Sequence, residues 1–191
     1  GAQNATLSRP QGLAVDADGS VLFMDVECGN RLRRASASAV TSVLRAGPVG
    51  LSDGTTGAMG TAQVALPTAF GRVGNSVYFT DGDRVRQLQP GSISTVAGSG
   101  INGLQFADSG EAASYTYAEG LVSDGRYAYT QITYLRQLFR VALDRGASQA
   151  LYTFPSGNQP ATVKAMTRLS DQIYLAFDDG TVRSIRSDGT V

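Results

Sequence analysis

Between Leu66 and Gly98, short runs of β-forming residues alternate with turn residues every few positions. Four segments stand out: Pro67-Thr-Ala-Phe70, Ser76–Thr80, Arg84–Gln89 and Ser92–Val96. Gly71 and Gly74, Asp81-Gly82 and Pro90-Gly91 separate them, and β-formers bounded by such residues read as consecutive hairpins. The stretch therefore predicts a four-stranded antiparallel meander. A lone meander leaves two faces and two edges uncovered, so it needs neighbours of its own kind.

The same order of features occurs three more times. Ser20-Val-Leu-Phe-Met-Asp25 matches Ser76-Val-Tyr-Phe-Thr-Asp81, with Phe23 and Phe79 56 residues apart. Tyr127–Gln131 follows, Tyr129 lying 50 residues after Phe79, and Ile173–Phe177 follows with Leu175 46 residues further on. After each of these strands comes a second marker: Asn30-Arg-Leu-Arg33, Arg84-Val-Arg86, Arg136-Gln-Leu138 and Val182-Arg-Ser-Ile185. Four short strands recurring at roughly 40 to 50 residues are what a propeller blade requires.

Pro10-Gln-Gly-Leu-Ala-Val-Asp16, Phe23-Met-Asp25, Asn30-Arg-Leu-Arg33, Val40-Thr-Ser-Val43 and the Gly-rich linker ending Leu66-Pro67 resemble the repeat of NHL-type β-propellers. Val77–Gly98 resembles it too, through Thr80-Asp81, Arg84-Val-Arg86 and Ser94-Thr-Val-Ala-Gly98. The third and fourth units depart from the pattern: Gln131 stands where the aspartate is expected, and neither unit has the leading proline. The resemblance implies an all-β protein, a β-propeller of four-stranded antiparallel blades near residues 10–46, 66–98, 119–154 and 163–191 of one domain spanning 1–191. Family propellers commonly close with about six blades. Because Asp188-Gly-Thr-Val191 stands where an outer strand should begin, the expectation is a part of a larger ring, with residues 1–9 as linker or, in a four-bladed ring, as closing strand. The family hosts binding modules and unrelated enzymes, so the fold does not decide activity.

Composition narrows the field. Sixteen basic and sixteen acidic residues cancel, which removes the electrostatic case for nucleic acid or an anionic membrane surface. No stretch approaches the roughly 18 apolar residues of a spanning helix. Cys28 is the only cysteine, so no internal disulfide can form. Asn4-Ala5-Thr6 is a glycosylation sequon, and it favours an extracellular or cell-surface setting.

The chain has no histidine, which excludes Ser-His-Asp and Cys-His nucleophile systems and removes the commonest transition-metal ligand. A calcium-type site made of oxygens alone stays open, with Asp16, Asp18, Asp25, Asp81 and Asp83 as candidate donors. Asp16-Ala-Asp18-Gly19 departs from an EF-hand loop and reads as turn chemistry. Asp25, Glu27, Asp81 and Asp83 fall at second-to-third strand turns and form a candidate polar face with Asn30, Arg31, Arg84, Tyr134 and Arg136. Arginines that recur with the blade are expected to pair with neighbouring carboxylates. The functional expectation is a non-catalytic scaffold for a protein partner, without cofactor. A calcium-dependent propeller hydrolase or lyase is the alternative, and an RNA-binding propeller the second.

Overall fold

The computed structural model describes residues 4–26, 31–44, 50–57, 60–132, 135–155 and 162–191. Two compact units divide the chain, Gly1–Gly82 with Arg86–Thr95, and Asp83–Val85 with Val96–Val191. Among the described residues there is no α-helix, and so none long and apolar enough to cross a membrane.

The first sheet orders β1 (Pro10–Val15), β2 (Val21–Asp25), β3 (Arg31–Ala35) and β4 (Val40–Ser42) consecutively. The second contains β5 (Gly54–Thr55), β6 (Pro67–Val73), β7 (Ser76–Asp81), β8 (Arg84–Gln89) and β9 (Ser92–Ala97), in the order β5-β9-β8-β7-β6. β10 (Ala118–Ser123), β11 (Tyr127–Ile132), β12 (Gln137–Ala142) and β13 (Ser148–Thr153) make the third. The fourth has three strands among the described residues, β14 (Val163–Leu169), β15 (Gln172–Phe177) and β16 (Val182–Arg186). The four segments read from Leu66–Gly98 are thus β6 to β9, each extended by up to three residues.

One strand was not expected. The linker after Leu44 reads as a turn at Asp53-Gly54, with a partner-facing ledge as the alternative; instead Gly54 and Thr55 pair with Ile93 and Ser92 and give the second sheet a fifth strand. Asp53 fastens it, accepting from the Thr95 N–H at 2.7 Å and from Arg86 at 2.9 Å. Residues 4–9 contain no strand.

Alternation does the rest. In the first unit Leu22, Met24, Leu32, Phe70, Val77, Phe79, Leu88 and Ile93 form one buried cluster. Each such side chain contributes about 1.5–3 kcal/mol when fully buried. The second unit is centred on Tyr129, Leu138, Phe154, Ile173, Leu175 and Phe177, with Tyr127 packed against them, so the paired tyrosines of β11 belong to the core. On the linker before β10, Tyr115 stacks on Phe139 at 4.8 Å and Phe106 lies 5.4 Å from the same ring, whereas Tyr117 is exposed.

β1, β6, β10 and β14, the inner strands, all bulge near their start. The pairing register skips between Gln11 and Leu13, Pro67 and Ala69, Glu119 and Val122, and Val163 and Ala165. An extra residue there bends the strand and sharpens its twist. Gly12 is the extra residue of β1, with φ of 58°, and its α-carbon lies so close to Phe70 of β6 that a β-carbon would sit 2.6 Å from Cδ2 of that ring.

Candidate functional site

The second strands of the first two sheets end in an aspartate that faces inward. Asp25 Oδ1 accepts the N–H groups of Ser8 at 2.9 Å and Arg9 at 3.1 Å, and Oδ2 accepts from Arg33 at 3.2 Å. Asp81 repeats the arrangement, taking the N–H groups of Ala65 at 2.9 Å and Leu66 at 2.7 Å and Arg86 at 2.9 Å. In both cases the gripped backbone lies immediately before an inner strand. Asp178 does the same for Thr162, at 2.8 Å, ahead of β14. Asp25, Asp81 and Arg86 are fully buried, and Arg86 also donates to the Gln63 carbonyl at 2.6 Å and the Ser52 carbonyl at 2.8 Å. The expected pairing of blade arginines with carboxylates is therefore present at Arg33 and Arg86.

Burial pushes the Asp25 carboxyl up, but the two backbone N–H donors and the Arg33 guanidinium outweigh it and hold the pKa below its ordinary 3.8. Asp81 goes the other way: burial dominates the pull of Leu66, Arg86 and Ala65 and raises its pKa. For a group depressed in the fold, stability is present above the unfolded value and lost as pH falls through the folded one. The stability difference between the parent and an Asp25→Asn variant is accordingly constant from neutral pH to about pH 5 and shrinks below it. Urea midpoints measured from pH 7 to pH 3 check this.

The other described members of the expected polar face lie at strand starts and turns. Arg31 opens β3 opposite Asp25, with Nε shielded and unpartnered. Asp83 is half-buried in the β7–β8 turn, one carboxylate oxygen shielded, and Arg84 opens β8, half-buried. Arg136 precedes β12 with φ of 55°, and its carbonyl accepts from Phe154 at 2.8 Å. It is not the register equivalent of Arg31: opposite Gln131, where Arg31 faces Asp25, stands Leu138. Glu27, Cys28, Asn30 and Tyr134 lie outside the described residues. Asn4 is exposed. Among the described residues no three carboxylate or sulfur groups come together as a metal site, so the five aspartates considered for calcium do not converge.

Register also aligns three arginines, of which the sequence markers pass over Arg140. Phe23 faces Arg33, Tyr129 faces Arg140 and Leu175 faces Arg183. Without an aspartate at the end of the second strand, the later two turn elsewhere: Arg140 to Gln149 at 2.8 Å and over the Tyr127 ring at 4.5 Å, Arg183 over the Phe177 ring at 4.7 Å.

A cavity of about 460 Å³ lies in the first unit at the other ends of these strands, by the β1–β2, β6–β7 and β8–β9 turns. Arg34 crosses its wall, paired with Asp16 at 2.5 Å and 4.0 Å from Asp18. The Ser20 hydroxyl and N–H hold the Asp18 carboxyl below its ordinary value. Val77 and Leu88, both buried, underlie it, with Val43 and Pro90 beside them. Thr41, Ser42, Thr56, Asn75 and Gln89 line it, and their side chains form no hydrogen bond with another described residue. Turns drawn from two sheets build this site, and no local pattern in the chain places them together.

These sheets are the blades of a β-propeller. No protein-family model matches the chain, and no curated protein sequence does. Its fold is similar to that of a structural genomics protein of unknown function from Bacteroides thetaiotaomicron, at 11% identity and a TM-score of 0.65 over 98% of this chain and 43% of that one. Streptogramin B lyase is similar at 15% identity and a TM-score of 0.52, over 93% and 54%. A chain of the nidogen/laminin complex is similar at 14% identity and a TM-score of 0.57, over 93% and 75%. The chain thus spans about half the length of the first two, 43% and 54%. At such identities the likeness is one of fold.

Proposed function

We propose that this chain is a non-catalytic propeller module of the NHL type that binds a protein partner. One observation carries the reading: the carboxylates best placed for acid–base or metal chemistry, Asp25 and Asp81, are each committed to two backbone N–H groups and an arginine, in a chain without histidine. Their chemistry goes into holding the blades. That a similar propeller comes from a nidogen/laminin complex supports a protein partner, and the exposed Asn4 supports an extracellular or surface setting. The balanced charge weighs against RNA.

The test is reconstitution. A partner recovered on the tagged chain from surface or secreted extracts is purified separately, mixed back and measured by calorimetry. A saturable one-to-one complex burying roughly 1,200 Å² or more is expected. Calcium retained stoichiometrically after dialysis, together with hydrolytic or lyase turnover that chelation abolishes, would instead establish the enzyme reading.

A further inference from the structure

We infer that the cavity beside the β1–β2 and β8–β9 turns of the first unit is a binding site for a neutral polyhydroxylated ligand, that is, a saccharide. The inference does not rest on the protein-partner reading. Thr41 and Ser42 of β4, Thr56, Asn75 and Gln89 come from four separate places in the two sheets and their connections and meet around one space of about 460 Å³. Each carries a hydroxyl or an amide, groups that both donate and accept hydrogen bonds, as sugar hydroxyls do. Their side chains are uncommitted to described residues, so binding breaks no internal hydrogen bond.

The remaining wall matches the other half of a sugar. Val43, half-buried, and Pro90, exposed, give an apolar surface over the buried Val77 and Leu88 for the C–H face of a pyranose ring. Charge argues against the competing classes. Among the described residues the one guanidinium lining the cavity, Arg34, is already taken by Asp16 at 2.5 Å, and Asp18 leaves negative charge in excess, which disfavours phosphates and carboxylates. A cationic ligand would find one exposed carboxylate, Asp18, against five neutral groups that give it no charge complement. The volume lies in the range of about 300–1,000 Å³ usual for small-molecule sites. Among the described residues no aromatic side chain lines the cavity, so ring stacking adds nothing and the affinity expected is weak, with Kd of about 0.1–10 mM.

Amide chemical shifts of the ¹⁵N-labelled chain, titrated with glucose, N-acetylglucosamine, maltose and cellobiose, test this, with glucuronate and glucosamine as charged comparisons. At least one neutral sugar is expected to shift the amides of Thr41, Ser42, Thr56, Asn75 or Gln89 saturably. Asn75→Ala and Gln89→Ala are each expected to weaken that sugar about five-fold, the loss of one net hydrogen bond, with the rest of the spectrum unchanged. The proposal is overturned if no neutral sugar moves these signals at about ten times the weakest Kd expected. It is equally overturned if the shifts map elsewhere, or if only glucuronate or glucosamine binds. A failure here leaves the protein-partner reading standing, since reconstitution with the partner is a separate measurement.

Discussion

Replacing Asp81 with alanine lowers the unfolding free energy by about 3–5 kcal/mol, the cost typical of removing one member of a buried ion pair. The Arg86 side chain is fully buried, and its partner removed leaves only Asp53, whose side chain is 47% exposed, to balance the guanidinium. The N–H groups of Ala65 and Leu66 lose their acceptor at the same time. At about 2–4 °C per kcal/mol for a chain of this size, the melting temperature falls by about 10 °C. Asp25→Ala has a smaller effect, because Arg33 keeps 13% of its side chain in water. Replacing both Asp81 and Arg86 by apolar residues recovers much of the loss, since the desolvation that raises the Asp81 pKa disappears with the charges. Urea unfolding of the two single variants and the double variant measures the cycle. If Asp81→Ala cost no more than Asp25→Ala, the buried pair would not be the stronger of the two latches.

Gly12→Ala is expected to cost about 2–4 kcal/mol, the sum of a left-handed backbone and an overpacked contact. Its β-carbon would meet Cδ2 and Cε2 of Phe70 at 2.6 and 2.8 Å and the Thr68 carbonyl at 2.9 Å. Phe70 has little room to yield, being buried and stacked on Phe79 at a centroid distance of 5.5 Å. Gly19→Ala separates the two contributions. Gly19 has φ of 79° but nothing within 4 Å of a β-carbon, so it shows the backbone cost alone, about 1 kcal/mol. Equal losses at the two positions would mean that Phe70 moves aside freely.

Much of the fold is legible in the chain because hairpin chemistry is local. Gly74 and Gly82 sit in the turns they announce, whereas Gly71 lies inside β6 and Asp81 ends β7, and the strands follow from alternation. What the chain conceals depends on register. Arg31, Arg84 and Arg136 look like one recurring position, yet pairing puts Leu138 where Arg31 stands and reveals Arg33, Arg140 and Arg183 as equivalent. A strand of two residues, Gly54–Thr55, carries too little pattern to be seen before β9 offers it an edge. Asp25 and Asp81 were visible as recurring carboxylates, but their role was not, because the groups they bind are backbone N–H donors that any residue except proline supplies. The cavity was the least legible, since Thr41, Asn75 and Gln89 come together only when separate turns meet.

That preference of Asp25 and Asp81 for main-chain partners bears on how such a chain can diverge. The Oδ1 of each carboxylate takes only amides, imposes no residue identity on the connection it holds, and asks only that two N–H groups arrive just ahead of Pro10 or Pro67. Connections between blades can therefore change composition and length, acquire loops or lose them, while the inner strand keeps its point of departure. The architecture is tolerant where recognition is built and intolerant at a few inward-facing aspartates, and family resemblance at the level of the whole sequence can erode while the blades remain.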